Sequence, residues 1–194
     1  MAEIKSYNPA TGELIDSVPV ANKKEIKEAV AKARAAQKIW GCLNPRERSR
    51  ALTPLKDFLV DESESIAKAV SVETGKPMQE ALTMEVLPTI DLLNYYLKRG
   101  PKVLSPKNIP LHLLKHRKSY MHYKPLGVIG IIAPWNFPFA ISMGDAFMAM
   151  LAGNAVVLKP SEITPLIAQK ALECFHKMLP TPDIFQVVQG YGQQ

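Results

Sequence analysis

Asn136 stands between two prolines in the stretch Ala133-Pro134-Trp135-Asn136-Phe137-Pro138, at the end of an apolar run. Each proline fixes its own φ and restricts the residue before it, so the turn is stiff. A carboxamide held on such a turn can donate N–H groups to an oxyanion in acyl chemistry. It can equally close the turn by bonding its own backbone. Lys159, Ser161 and Glu162 follow a second apolar run, Ala155-Val156-Val157-Leu158. The Lys159 ammonium can pair with a phosphate or donate to a sugar hydroxyl. Glu162 can accept both hydroxyls of a ribose and would repel an added 2′-phosphate. The alternative is a plain strand-to-helix connection, with Ser161 capping the next helix and Glu162 in its first turn. Gly190 and Gly192 could admit a dinucleotide close to the backbone or simply make a turn, because the other positions of the glycine motif are absent.

Other reactive types are less well placed. His112 and His116 are four apart but lack the glutamate of a zinc-protease helix, and their neighbours are basic, so no metal is expected. Cys42 lies in a loop after a helix, and Cys174 lies between Leu172 and Phe175 and reads as core. Glu73, Glu80 and Glu85 read as solvated helix faces.

The elements that must carry these groups follow from periodicity and breakers. Residues 4 to 20 read as two strands around Asn8-Pro9-Ala10-Thr11-Gly12, with Leu14, Val18 and Val20 inward. Asn22 caps a helix whose apolar face carries Ile26, Ala29, Val30, Ala33 and Trp40. A second helical region, 45 to 74, breaks at Pro54 or at Asp61-Glu62-Ser63 and stops at Gly75-Lys76-Pro77. A third helix covers 78 to 99, strained by Pro88. Prolines 101, 106 and 110 mark an extended arm, followed by a strand at 119 to 123.

Beyond Pro125 strands and helices alternate. Val128 to Ala133 suits a strand covered on both faces, and Pro138 to Ala152 a buried helix. Ala155 to Leu158 is a second buried strand, Thr164 to Met178 a helix and Ile184 to Val188 a third strand. The order β-α-β-α-β predicts a parallel sheet with right-handed crossovers, hence an α/β protein. Ligands of such sheets sit at the carboxyl ends of the strands, where Asn136, Lys159 and Gly190 all fall.

Composition narrows the classes. With 47% hydrophobic and 22% charged residues the 194-residue chain is globular, and its net charge of +6 favours anionic partners. The two cysteines make no disulfide framework and point to a reducing, cytoplasmic setting. The first residues lack the pattern of a signal peptide. The longest apolar stretch, 141 to 157, is broken by Gly144, Asp145, Gly153 and Asn154, so no membrane span is expected. No acidic residue lies between Asp91 and Asp145, where Lys98, Arg99, Lys102, Lys107, Lys115, Arg117, Lys118 and Lys124 are found. Nucleic acid is not the expected partner, because these charges alternate with leucines and prolines and no binding motif appears.

Together these segments resemble the NAD(P)-dependent aldehyde dehydrogenase superfamily. The resemblance is carried by ETGKP at 73–77, KPLGVIGIIAPWNFPF at 124–139, AGNAVVLKPSEITPL at 152–166 and DIFQVVQGYG at 183–192, in matching order, with NPATGELI near the start. It implies the N-terminal helices and the first half of a Rossmann-like parallel sheet. Residues 1–100 would be the hairpin and helical part of the cofactor-binding domain, 101–124 an arm towards the oligomerisation hairpin, and 125–194 the first β-α-β-α-β part.

The same resemblance implies that Asn136 is the oxyanion donor and that Ile132, Ala133, Pro134 and Trp135 lie along the nicotinamide half of the cofactor. Lys159 and Glu162, with Ser161 beside them, match the contacts to the adenosine ribose, and Gly192 joins the cofactor-binding set. NAD is favoured by Glu162, with NADP also open, and the substrate would be a small-molecule aldehyde. Phe137, Phe139 and Met143 either line part of the aldehyde tunnel or pack in the core. A homo-oligomer is implied for the longer protein. The family's cysteine nucleophile and glutamate base come from later segments, and its chains are more than twice this length. The 194 residues alone should therefore lack turnover, as part of a dehydrogenase or as a non-catalytic nucleotide-binding or subunit-interaction fragment of that fold. Half of a parallel sheet should also leave an unpaired edge.

Overall fold

The computed structural model describes residues 2–113 and 115–193. A hairpin comes first, β1 Glu3–Tyr7 against β2 Leu14–Pro19. Asn8 shapes its turn: the side-chain oxygen accepts the Ala10 N–H at 2.9 Å and the carbonyl accepts the Gly12 N–H at 2.7 Å. Val18 is buried opposite Ile4, but Leu14 is exposed, contrary to expectation. The register shifts between Ser6 and Tyr7, which pairs Leu14 with the exposed Tyr7.

Four helical stretches form a layer behind it. Helices α1 Lys23–Trp40 and α2 Pro45–Asp61 each begin with a capping box, Asn22 with Glu25 and Asn44 with Glu47. Pro54 is tolerated inside α2, and the break falls at Glu62, after which α3 Ser63–Thr74 runs to Gly75 at φ +78°. The expected single helix at 78 to 99 is instead composite. A short α4, Met78–Glu80, opens into a π-helical turn over Ala81–Val86 and then α5 Leu87–Val103. Pro88 thus falls in the first turn of α5, where its missing N–H costs little.

Pro101 does not mark an extended arm but lies inside α5, and the chain beyond that helix folds back as a second hairpin, β3 Lys107–Ile109 antiparallel to β4 Ser119–Met121. The remaining elements are β5 Val128–Ile132, α6 Ala140–Leu151, β6 Ala155–Lys159, α7 Pro165–Met178 and β7 Phe185–Val187. The three strands are parallel in the order β5-β6-β7. Central β6 is buried from Ala155 to Leu158, as its apolar run demands. Strand β5 is an edge and is not covered on both faces: Ile132 is 83% exposed.

The core lies between sheet and helical layer. Trp40 is fully buried and donates its indole N–H to the Met150 carbonyl at 2.7 Å, fastening α1 to α6. Phe175 stacks on Phe185 with ring centroids 4.1 Å apart, and Phe147 packs against Phe175 at a tilt, 5.9 Å away. Each such buried side chain contributes about 1.5–3 kcal/mol. Phe139 and Met143 belong to this core, which leaves only the half-buried Phe137 near the surface. No helix among the described residues is long and apolar enough to cross a membrane.

Candidate functional site at the strand ends

Because the sheet is parallel, its three carboxyl ends share one edge. The Ala133 N–H donates to the Lys159 carbonyl at 3.0 Å and the Val188 N–H to that of Leu158 at 2.9 Å, continuing the ladder past the strands. Here Ile26, Ile132, Lys159 and residues 188–191 surround a cavity of about 220 Å³. Lys159 Nζ donates to the Pro160 carbonyl at 2.9 Å and pairs with a Glu162 carboxylate oxygen at 3.5 Å. A hydrogen bond from its own backbone N–H, helped by Lys159, holds the exposed Glu162 carboxyl below the usual carboxylate range. An ammonium and an ionised carboxylate therefore stand side by side at the mouth of an apolar cavity.

Ser161 does not cap α7. Its hydroxyl accepts the Ile163 N–H at 3.2 Å, and the helix starts four residues on, at Pro165. Of the remaining residues implied at the cofactor, Ala133 is buried, Pro134 half-buried and Trp135 exposed along the segment leaving β5. Gly192 is exposed beyond β7, in open space.

Asn136 is exposed, and its side-chain oxygen accepts the Phe137 N–H at 3.1 Å. Only oxygen can accept there, so the orientation of the amide follows, and Nδ2 makes no hydrogen bond among the described residues. The turn-forming alternative is thus met by the side-chain oxygen alone.

Glu73 and Glu85 correct the expectation of solvated helix faces. They are 4% and 0% exposed. Glu85 accepts the N–H groups of Phe139 at 2.9 Å and Ala140 at 3.3 Å, at the start of α6. Glu73 accepts those of Leu166 at 2.8 Å and Ile167 at 2.9 Å, at the start of α7. Neither helix carries a side-chain cap of its own, so the helical layer supplies both. Spacing held the signal: Glu73 continues the face of Ile66 and Val70, and Glu85 the series Ala81, Thr89, Leu93.

A three-stranded parallel sheet with capped crossover helices and a polar pair at its carboxyl edge defines an α/β protein of Rossmann-like type. The model of the aldehyde dehydrogenase family matches residues 1–194, and the chain belongs to that family. A 4,4'-diapolycopene aldehyde oxidase from Methylomonas sp is 36% identical over 196 aligned residues, covering all of this chain and 37% of the relative. A putative aldehyde dehydrogenase from Burkholderia cenocepacia superposes with a TM-score of 0.92 at 32% identity, covering 100% of this chain and 39% of that one. The NAD+ complex of an aldehyde dehydrogenase from Bacillus cereus gives 0.91 at 31% identity, again with 100% and 39% covered. The chain thus spans well under half the length of these relatives.

Proposed function

We propose that the chain supplies cofactor-binding strand ends and the oxyanion donor of an enzyme that oxidises an aldehyde to a carboxylic acid through a thiohemiacetal on a cysteine from another segment. The observation that carries this reading is the amide of Asn136, whose oxygen is used within the turn while Nδ2 keeps both donors. Such a donor contributes about 2.7–4 kcal/mol to the transition state. Asn136 would hold the carbonyl oxygen as it gains charge and release it as the carbonyl re-forms.

The donor set at the strand ends fits a dinucleotide. Lys159 and Glu162 would bind the adenosine ribose hydroxyls with Ser161 beside them, and the apolar wall of Ile26 and Ile132 suits a flat ring. Ile132, Ala133, Pro134 and Trp135 would run along the nicotinamide half, and Gly192 would border the cofactor. NAD(P)+, when bound, supplies a hydride acceptor. Glu162, ionised at neutral pH, favours NAD by repelling a 2′-phosphate.

The chain divides functionally into residues 1–100, the arm 101–124 and the cofactor-binding part 125–194. The hairpin of β3 and β4 exposes Ile109, Tyr120 and Met121 and would serve a homo-oligomeric contact in the longer protein. A reducing cytoplasm suits its two free thiols. Without another nucleophile the 194 residues have no turnover: Cys174 is buried and Cys42 lies near the C-terminus of α1, hydrogen-bonded to the Lys38 carbonyl.

Calorimetry of the chain with NAD and NADP tests this reading, with NAD binding more tightly and Glu162→Gln narrowing the difference. Failure to bind either dinucleotide, or NADH production from an aldehyde panel by the chain alone, would overturn it.

A further inference from the structure

We infer that Lys76 and Glu85 act as a pair that positions the Asn136 carboxamide, an inference that rests on the reading of Asn136 as oxyanion donor. Lys76 Nζ donates to the Asn136 carbonyl at 2.6 Å and lies 4.1 Å from the centroid of the Phe137 ring. It also donates to one carboxylate oxygen of Glu85. The other oxygen of Glu85 accepts the N–H groups of Phe139 and Ala140. Two side chains therefore touch residues 136, 137, 139 and 140, while Pro138 between them has no N–H to offer.

The arrangement fixes the donor in steps. Lys76 holds the carbonyl of Asn136 and the ring of Phe137, which fixes the peptide between them. That peptide carries the N–H accepted by the Asn136 side-chain oxygen, so its direction sets the direction of Nδ2. Glu85 ties Lys76 to the start of α6, a rigid element in the core. Its side chain is fully buried and that of Lys76 is 19% exposed, so the pair is shielded from competing water. Glu85 reaches the turn from the π-helical stretch of Ala81–Val86, a local widening of the kind often found at functional sites.

Two variants separate positioning from helix capping. Lys76→Met removes the hold on Asn136 and Phe137 but leaves both capping bonds of Glu85. Glu85→Gln keeps one oxygen for the Phe139 and Ala140 N–H groups while presenting an amide to Lys76, and it remains informative if Lys76→Met fails to fold. Acrylamide quenching of tryptophan fluorescence reports on exposed Trp135, because Trp40 is fully buried. The side-chain NH₂ resonances of Asn136 report on the donor itself. Both variants should increase Trp135 quenching and shift and broaden the Asn136 resonances, and Lys76→Arg should restore both. In the full-length dehydrogenase the same variants should lower kcat by about 10²-fold, the effect of a misplacement near 1 Å, with a much smaller change in the KM for NAD+.

Unchanged quenching and unchanged Asn136 resonances in both variants would overturn the inference. So would altered Asn136 resonances in Lys76→Met that Lys76→Arg fails to restore. Undiminished kcat in Asn136→Ala would instead refute the oxyanion reading, and would leave the effect of the pair on the turn measurable by NMR.

Discussion

The hydroxyl of Ser6 donates to the carboxylate of Glu73 at 2.8 Å, joining the first strand to the end of α3 across 67 positions of chain. The same carboxylate accepts two N–H groups of α7. One buried side chain thereby holds together the hairpin, the helical layer and a crossover helix.

Burial pushes the Glu73 carboxyl above its ordinary value of 4.5, and its hydrogen bonds from Leu166, Ser6 and Ile167 only partly offset that rise. The folded state therefore holds this proton more tightly than the unfolded state. The stabilisation linked to it is full below 4.5 and is lost as pH rises through the raised value. Urea unfolding of wild type and Glu73→Gln should show a stability difference, in favour of wild type, that is larger near pH 4.5 than at neutrality. A constant or inverted difference contradicts this.

Gly153 has φ +96°, and a Cβ built there would lie 1.7 Å from a nitrogen of the Arg48 guanidinium. At Gly130, in β5, a Cβ would meet nothing within 4 Å. Gly153→Ala should cost about 1–3 kcal/mol from the backbone alone, with the clash adding to it. Gly130→Ala should be near neutral. Chemical unfolding midpoints of the two variants compare them directly.

Cys42 is exposed, whereas burial pushes the Cys174 thiol up to about 11. Iodoacetamide at mildly alkaline pH should label one thiol per folded chain and both after denaturation. Mass spectrometry of the peptides should locate the first label on Cys42. Prompt labelling of Cys174 in the native state would contradict its place in the core.

Asn44 and Thr164 both precede helices but do different work. Asn44 accepts the N–H groups of Arg46 at 2.9 Å and Glu47 at 3.1 Å, so Asn44→Ala should cost about 1 kcal/mol. Thr164 is buried, and its hydroxyl has no partner among the described residues. Thr164→Val should therefore be neutral or slightly stabilising by thermal unfolding.

Much of this arrangement is legible in the order of residues. Asn22, Gly75 and the β-branched run of β6 act through local physics, and the structure places their caps, stop and buried strand where periodicity puts them. Asn136 was legible as a stiffly held group because two prolines bracket it. The partners of that turn were not. Lys76 lies 60 positions away and Glu85 54, and their approach depends on the docking of two layers. A charged residue on an otherwise apolar helical face looks ordinary until the face is known to be closed over. The exposure of Ile132 is a matter of topology, since β5 ends the described sheet and a continuous apolar run does not reveal a strand's place in it.

The borrowed caps of α6 and α7 also bear on how the molecule assembles. Helices that begin at Asn22 or Asn44 carry their start signals within four residues and can nucleate while the chain is still open. The helices beside the sheet lack such local signals, and their first N–H groups bond carboxylates from remote positions. The stability of the sheet half therefore depends on the helical layer docked against it. Residues 125–193 produced without that layer should give a collapsed species with weak helical dichroism and no sharp melting transition.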